Sequence, residues 1–255
     1  MIRVVIIGAG NVAIHLAKAL RATDSVELVQ YYSRSARNQS YFHSSIPQAN
    51  DLGALLRADV YVIAVKDDVI KDLAPVLKKL AGLVVHTSGT VPLEALADCP
   101  RHGVFYPVQT FSKDRELDWS STPLVLETAD PADMHLLRTL ASALSDSIFE
   151  IDSQGRKKLH LAAVFANNFS NHMFTLSKEV CLENELPFEL VKPLIMETAK
   201  KVMHMEPEDA QTGPARRHDR LVMNEQEAQL SEEKKEIYSL LSRSIEARSK
   251  ITGNQ

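Results

Sequence analysis

Cysteine is scarce in this chain of 255 residues, which contains two. Cys99 and Cys181 have neither a second cysteine nor a paired histidine at metal-ligand spacing. The sequence therefore indicates no zinc or other metal site and no disulfide framework. Unpaired cysteines are typical of a reducing compartment, and we expect a cytoplasmic protein.

The chain also lacks a charge excess of one sign and long apolar runs. Its formal net charge of -4 at pH 7 gives no electrostatic basis for binding nucleic acid or an anionic membrane. No apolar stretch reaches the roughly 20 residues that a membrane-spanning helix needs. The first apolar run begins too close to Met1 for a signal peptide. We therefore expect no nucleic-acid partner and no membrane partner.

The apolar run that opens the chain leads directly into Gly8-x-Gly10-x-x-Ala13 and then into a helical pattern. Gly8 allows a tight turn from strand to helix, Gly10 lets the backbone approach a pyrophosphate, and Ala13 lets the helix pack on the strand. Asn11 and Val12 then present free N–H groups at the positive end of the helix dipole. The motif predicts a dinucleotide-binding turn, and a tight turn without a ligand is the alternative.

The two parts of the chain differ in their sequence pattern. Residues 1–152 alternate strand-like and helix-like segments, which is typical of a parallel sheet with helices on both faces. Residues 156–185 contain neither glycine nor proline, and their apolar residues recur at helical spacing. We expect an α/β fold, with a Rossmann-type parallel-sheet domain over residues 1–152 and an all-helical domain over residues 153–255.

The end of the second predicted strand indicates which dinucleotide binds. A carboxylate here usually accepts the ribose 2′-hydroxyl of NAD, whereas an arginine accommodates the 2′-phosphate of NADP. No Asp or Glu occurs between Glu27 and Asp51, and the strand is followed by Ser33, Arg34 and Arg37. Hydroxyl and guanidinium groups form charge-assisted hydrogen bonds with phosphate. The segment favours NADP, and a solvated basic loop is the alternative.

Two further strand ends should line the same crevice. Val65 and Lys66 follow one buried strand, so their backbone is expected to pass the middle of the dinucleotide. We expect the adjacent Asp67 or Asp68 to cap the following helix. Ser88 follows the next strand and is expected near the nicotinamide, although a turn rich in Ser, Thr and Gly is also ordinary loop chemistry.

The predicted helix after Gly155 carries the candidate reaction centre. His160, Asn167 and Asn171 share a narrow stripe at about 100° per residue. Asparagine is a poor former of helix interiors, so we expect these polar groups to have a function at a cleft between the domains. A solvent-facing helix side is the alternative. Imidazole suits general acid catalysis near neutral pH, and amides can orient a substrate or a developing anion.

Two weaker segments are candidates for binding substrate. A Gly-Pro turn leads Arg216 and Arg217 towards a helix, where Arg217 could hold a carboxylate or phosphate. The alternative interpretation of the same pattern is a charged surface turn. Residues 106–111, which include Tyr106 and Gln109, lie at the end of another predicted strand and are a candidate wall of the substrate pocket.

Taken together, these segments resemble the Rossmann-like proteins with a DUF2520 C-terminal domain. That family is similar to pyrroline-5-carboxylate reductases, F420-dependent NADP oxidoreductases and, more distantly, ketopantoate reductases. The resemblance implies an N-terminal NADP-binding domain and a helical domain that helps to form a homodimer. The matching segments follow the expected order along the chain: Gly8-x-Gly10-x-x-Ala13, Ser33-Arg34, 86–89, 107–111, 166–169 and 212–215.

One position departs from the pattern of the related enzymes. Ketopantoate reductases and β-hydroxyacid dehydrogenases carry a catalytic lysine one helical turn before an asparagine. Ala163 stands one turn before Asn167 in this sequence, and His160 or Lys157 would have to substitute.

We therefore predict an NADP(H)-dependent oxidoreductase that reduces a small carbonyl or imine substrate bearing a carboxylate, such as a 2-keto acid or cyclic imino acid. In this hypothesis His160 supplies the proton, Asn167 and Asn171 orient the substrate, and Gln109 and Arg217 bind it. The alternative is a non-catalytic NADP-binding redox sensor or regulatory dimer, which the missing lysine favours.

Overall fold

Short, continuous runs of apolar residues build the central strands of this protein's sheet. The computed structural model describes residues 1–35 and 38–252, and its strands form one sheet in the order β3-β2-β1-β4-β5-β6-β7-β8. The strands are β1 Ile2–Ile7, β2 Val26–Tyr32, β3 Gln48–Ala49, β4 Val60–Ile63, β5 Leu83–His86, β6 His102–Pro107, β7 Leu124–Thr128 and β8 Ile148–Glu150. The reversal of order between β1 and β4 places a crevice at their carboxyl ends.

Helices connect and follow these strands. They are α1 Asn11–Arg21, α2 Asp67–Leu77, α3 Met134–Ser142, α4 Ser153–Ala163, α5 Ser170–Glu183, α6 Lys192–Lys201, α7 Pro207–Ala210, α8 Arg220–Glu227 and α9 Glu232–Thr252. Short 3₁₀ helices lie at Gln39–Tyr41, Leu52–Ala54, Leu93–Leu96, Pro131–Asp133 and Phe188–Leu190. The predicted α/β fold is confirmed, with a Rossmann-like sheet first and helices after it.

Both faces of the sheet are covered, because successive side chains of a strand point to opposite faces. Val4 and Ile6 pack in one buried cluster with residues of α1 and α3. Val5 and Ile7 pack in a second cluster with residues of α2. This arrangement is why β1 and β4 read as continuous apolar runs rather than as alternating patterns.

Two strands, β7 and β8, depart from the parallel arrangement that the sequence predicts. β7 pairs antiparallel with β6, whereas β8 pairs parallel with β7. The connection between β6 and β7, residues 108–123, contains no helix, and parallel neighbours usually need a helical crossover. As a result, β8 ends at the edge of the sheet where β6 begins.

The chain divides into two compact units, Met1–Asn167 and Asn168–Gln255. The first contains the sheet with α1 to α4, and the second contains α5 to α9. α4, predicted as part of the helical domain, lies within the unit that holds the sheet.

The long helix predicted over residues 156–185 is not α-helical throughout. Residues Val164–Phe169 form a π-helix between α4 and α5. The predicted helix is therefore present over residues 153–183, but its regular α-helical spacing is interrupted at this segment. A run without glycine or proline fits either form, and π-helical turns occur frequently at functional sites.

The two cysteines are free and buried. Among residues 1–35 and 38–252, no group of three or more His, Cys, Asp or Glu side chains is arranged to hold a metal ion. Within the same part of the chain, no helix combines the length and the apolar character needed to cross a membrane.

Candidate functional site

The glycine turn after β1 has the geometry that a dinucleotide requires. Gly8 has φ +135°, and a Cβ at this position would lie 2.2 Å from the carbonyl oxygen of Ala64. Gly10 has open space around the position of a Cβ, with nothing within 4 Å. Gly8 is thus fixed by the fold, whereas Gly10 leaves room for a group that comes from outside the chain.

The start of α1 leaves its N–H groups available. Gly10 is the N-cap, no side chain caps the helix, and its first turn contains no acidic residue. Uncapped N–H groups and the positive end of the helix dipole favour an anion such as a pyrophosphate. Ala13 is fully buried against the sheet, as its place in the motif predicts. The residues of this turn therefore fit a dinucleotide.

The glycine turn opens into a cleft of about 360 Å³. It is lined by Gly8, Ala9, Gly10, Tyr32, Ser33, Arg34, Ser35, Asn38, Val65 and Lys66. The structure thus brings together six residues that were predicted to bind the cofactor: Gly8, Gly10, Ser33, Arg34, Val65 and Lys66. Arg37, which the sequence also places after the second strand, lies outside the described residues.

Asn11 and Ser33 have local partners. The side-chain amide of Asn11 donates to the carbonyl oxygen of Phe111 at 2.8 Å. The Ser33 hydroxyl donates to the carbonyl oxygen of Ser35 at 2.8 Å, which shapes the turn that presents the exposed Arg34. Val12 packs beside the buried cluster under α1, so a contact of Asn11 or Val12 with the cofactor would come from the backbone.

The expected capping of α2 by Asp67 or Asp68 is wrong. Lys66 is the N-cap, and no side-chain hydrogen bond caps this helix. Asp67 instead accepts hydrogen bonds from the hydroxyls of Ser88 at 2.8 Å and Thr90 at 2.6 Å. Its carboxylate therefore joins the start of α2 to the loop after β5.

Ser88 is mainly a structural residue of that loop. Its hydroxyl also accepts from the backbone N–H groups of Thr90 at 3.1 Å and Val91 at 3.0 Å. The side chain is buried. The predicted contact of Ser88 with the cofactor stays a prediction, and its donor is already used by Asp67.

A buried ion pair lies beneath this loop. Arg156 of α4 is 0% exposed at its side chain and pairs with Glu127, which is 14% exposed. Arg156 also donates to the carbonyl oxygen of Val91 and to Ser153 Oγ. Ser153 donates its N–H and its hydroxyl to Glu127, at 2.9 Å and 2.8 Å. The network anchors the start of α4 to β7 and to the loop after β5.

His86, at the end of β5, is fully buried beside this network. Its Nδ1 accepts a hydrogen bond from the N–H of Ser88 at 3.2 Å. Burial and then the positive charge of Arg156 lower the pKa of His86 to about 4, while the Pro92 carbonyl and Asp67 oppose this shift. The imidazole is therefore neutral in the folded protein above that pH.

We expect His86 to make the stability of the protein depend on pH. Its ordinary pKa of 6.5 applies in the unfolded chain, and its folded pKa is about 4. Between these values the unfolded chain binds a proton that the folded protein does not. The free energy of unfolding should therefore fall as the pH drops from about 6.5 to about 4, by about 3 kcal/mol in all. Urea unfolding at a series of pH values measures this slope. His86→Gln should flatten it, and equal slopes in variant and parent would contradict the assignment.

His160 lies against two strand ends of the sheet unit. Its Nδ1 is 3.2 Å from the hydroxyl oxygen of Tyr106. A Cβ on Gly89 would lie 2.6 Å from the same nitrogen, so the ring packs directly on the backbone of that glycine. Tyr106 is buried, and burial raises the pKa of its hydroxyl, which stays protonated near neutral pH. The pair can hold and pass a proton at the carboxyl edge of the sheet.

The two asparagines of the predicted stripe are both exposed. Asn167 lies in the π-helix and Asn171 in α5. The stripe was predicted from the regular angular spacing of an α-helix, and the π-helix changes that spacing between His160 and Asn171. The functional grouping of the three residues stays a prediction.

Gln109 and Arg217 belong to different units and are both exposed. Gln109 Oε1 accepts from the N–H of the adjacent Thr110 at 2.8 Å. Arg217 follows the turn at Gly213, where φ is +107°. Their binding of substrate stays a prediction.

Several residues of the site are absent from the sequence-based predictions. Asn38 lines the cleft, Lys113 contacts Asn38, and Arg156 with Glu127 anchors α4. Tyr106 was considered only as part of a possible pocket wall. A positive φ at Asn38 is common for asparagine, but nothing local in the sequence marks it.

The sequence matches two family models. The model described as "NADP oxidoreductase coenzyme F420-dependent" matches residues 3–86. The model described as "Domain of unknown function (DUF2520)" matches residues 122–245. No match is found among curated proteins.

Solved structures similar to this chain cover nearly all of it. The "putative NADP oxidoreductase" of Bacteroides fragilis is 39% identical, with a TM-score of 0.89, over 96% of this chain and 98% of that one. A Thermotoga maritima protein is 22% identical, with a TM-score of 0.73, over 99% and 100%. The pyrroline carboxylate reductase of Plasmodium falciparum, solved with NADP bound, is 15% identical, with a TM-score of 0.64, over 99% and 98%. The last two support the fold alone.

Proposed function

Because the chain belongs to the NADP oxidoreductase family, we propose that it reduces a small carbonyl or imine substrate bearing a carboxylate. Its sequence joins a segment that matches the F420-dependent NADP oxidoreductase model to a segment that matches DUF2520. NADP is its cofactor, and NADPH supplies the hydride for such a reduction. The glycine turn and the Ser33-Arg34 segment would hold it, because their cleft offers free N–H groups and a guanidinium.

The observation that carries the proposal is the His160–Tyr106 pair. The loops after β1, β4 and β5 and the end of β6 lie at one edge of the sheet, since these four strands are parallel. Ligands of such sheets bind outside this edge. An imidazole ring in hydrogen-bond contact with a buried hydroxyl at the same edge is suited to general acid catalysis.

In the proposed reaction, reduction of a carbonyl or imine carbon leaves an oxygen or nitrogen that needs a proton. His160 in its protonated form would donate that proton from Nε2, while Tyr106 holds Nδ1 and fixes the ring plane. The imidazole is neutral after this step and then regains a proton from solvent. Asn167 and Asn171 would orient the substrate, and Gln109 and Arg217 would bind its carboxylate.

We expect His160→Asn to lower turnover by about a hundredfold, since a general acid contributes on the order of 10² to 10⁴. The affinity for NADPH should stay within about twofold, because the glycine turn is untouched. The assay follows loss of NADPH absorbance with a panel of 2-keto acids and cyclic imino acids. His135→Asn, which changes an exposed histidine of α3, is the matched control. Equal turnover in parent and His160→Asn would remove His160 from the reaction.

A second candidate function is a non-catalytic NADP-binding redox sensor. One observation favours it: Ala163, where related enzymes carry a lysine, ends α4 just before the π-helix. Tight NADPH binding without oxidation across the whole panel would support the sensor over the reductase.

The helical unit would provide the contact for a homodimer. It exposes large apolar side chains, among them Leu190 at 71%, Leu194 at 64% and Leu221 at 71%, which a partner subunit would cover. Sedimentation at increasing concentration tests for the dimer. The buried free thiols fit the reducing cytoplasm, which we propose as its location.

A further inference from the structure

The connection between β6 and β7 crosses the start of α1. Its Phe111 carbonyl accepts from the Asn11 amide at 2.8 Å, and its Ser112 carbonyl lies 2.8 Å from His15 Nε2. The Phe111 ring packs on the His15 ring with centroids 5.5 Å apart. Irregular connections of this length usually have a function, and this one is held beside the cofactor cleft.

Lys113 joins this connection to the cleft itself. Its Nζ donates to Asn38 Oδ1 at 2.8 Å, and Asn38 Nδ2 donates to the Ala9 carbonyl oxygen at 2.7 Å. Asn38 lines the cleft together with Ser33 and Arg34. One amide thus links the lysine charge to the glycine turn, beside the residues assigned to the 2′-phosphate.

Tyr41 fixes the position of the lysine from another side. Lys113 Nζ lies 5.5 Å from the centroid of the Tyr41 ring, a distance at which a cation is attracted to the ring face. The Tyr41 hydroxyl donates to Oδ1 of Asp114, the residue that follows Lys113, at 3.2 Å. The carboxylate next to the lysine is therefore hydrogen-bonded to the same tyrosine. Lys18 Nζ lies 6.0 Å from the centroid of the same ring.

We propose that Lys113, positioned by Asn38, is a specificity-determining residue that favours NADP over NAD. An ammonium carries three donors, and the bond to Asn38 uses one. A cation held here attracts the 2′-phosphate that NADP has and NAD lacks, whereas it contributes little to the groups that both share. This inference rests on the proposed function, because it presumes that NADP binds in this cleft.

The test measures the binding of two adenosine fragments by calorimetry. Adenosine 2′,5′-bisphosphate carries the phosphate in question, and 5′-AMP lacks it. Lys113→Met should weaken binding of the bisphosphate about tenfold, since a charge-assisted hydrogen bond is lost, and should leave 5′-AMP within about twofold. Lys113→Arg keeps the charge and should stay within about threefold of the parent for both.

Lys18→Met is the matched control, because it removes a charge from the same tyrosine ring without touching Asn38. It should change neither affinity by more than about twofold. An equal loss of both fragments in Lys113→Met, or no loss of either, would overturn the role of Lys113. If Lys113→Met does not fold, Lys113→Gln replaces it under the same criteria. A parent protein that binds both fragments equally would instead refute the cofactor assignment.

Discussion

Gly8→Ala should destabilise the protein by about 3 kcal/mol or more, although it replaces a single hydrogen atom by a methyl group. The added Cβ would lie 2.2 Å from the Ala64 carbonyl oxygen and 2.8 Å from its carbon, so backbone must move. A φ of +135° adds strain for any residue with a side chain. Urea unfolding of the protein without cofactor measures the loss.

Gly10→Ala separates folding from binding at the same turn. Nothing lies within 4 Å of its Cβ position, and its φ of -80° suits alanine. Its stability should therefore stay within about 0.5 kcal/mol of the parent. Its affinity for NADPH should fall at least about tenfold, because the methyl group enters the space that a pyrophosphate needs. An unchanged unfolding midpoint in Gly8→Ala would show that the turn is not constrained as described.

Arg156→Met should cost about 3 to 5 kcal/mol of stability. The guanidinium is 0% exposed and its partner Glu127 is 14% exposed, so the substitution leaves a largely buried carboxylate without its counter-charge. Ser153 still donates to that carboxylate, which limits the loss. The shift of the urea midpoint measures it.

A double variant distinguishes the ion pair from simple packing. Arg156→Met combined with Glu127→Met should cost less than the sum of the single variants, because no unpaired charge remains. Lys157→Met, at the exposed neighbouring position of α4, should stay within about 0.5 kcal/mol of the parent. Additive single and double effects would mean that Arg156 stabilises through its aliphatic stem alone.

The sheet and the glycine turn could be predicted because their signals are local. An apolar run, Gly8 and Gly10 at fixed spacing, and a helical pattern all fall within 20 residues. The end of β2 likewise carries its own chemistry in Ser33 and Arg34. Each of these features depends on neighbours in sequence, so no knowledge of distant contacts is needed.

The rest depended on contacts between distant residues. Lys113 and Asn38 are 75 positions apart, and their meeting depends on the path of residues 108–123. Arg156 is followed by two lysines, and the three residues together have the pattern of a solvated basic cluster. Of these three residues, Arg156 alone is buried. Asp67 was assigned to its own helix, whereas the hydroxyls that it binds follow the next strand.

The reversal of β7 sets a fixed length for part of α4. Because β8 ends at the opposite edge of the sheet, α4 must run back along its face to bring His160 to Tyr106. Arg156 contacts Glu127, which pairs with Val104, and His160 contacts Tyr106, two residues further along β6. The strand advances by about 7 Å from Val104 to Tyr106, and the helix advances by about 6 Å from Arg156 to His160. One inserted residue between Arg156 and His160 would turn the imidazole by about 100°. This short stretch should therefore tolerate substitution during evolution but neither insertion nor deletion.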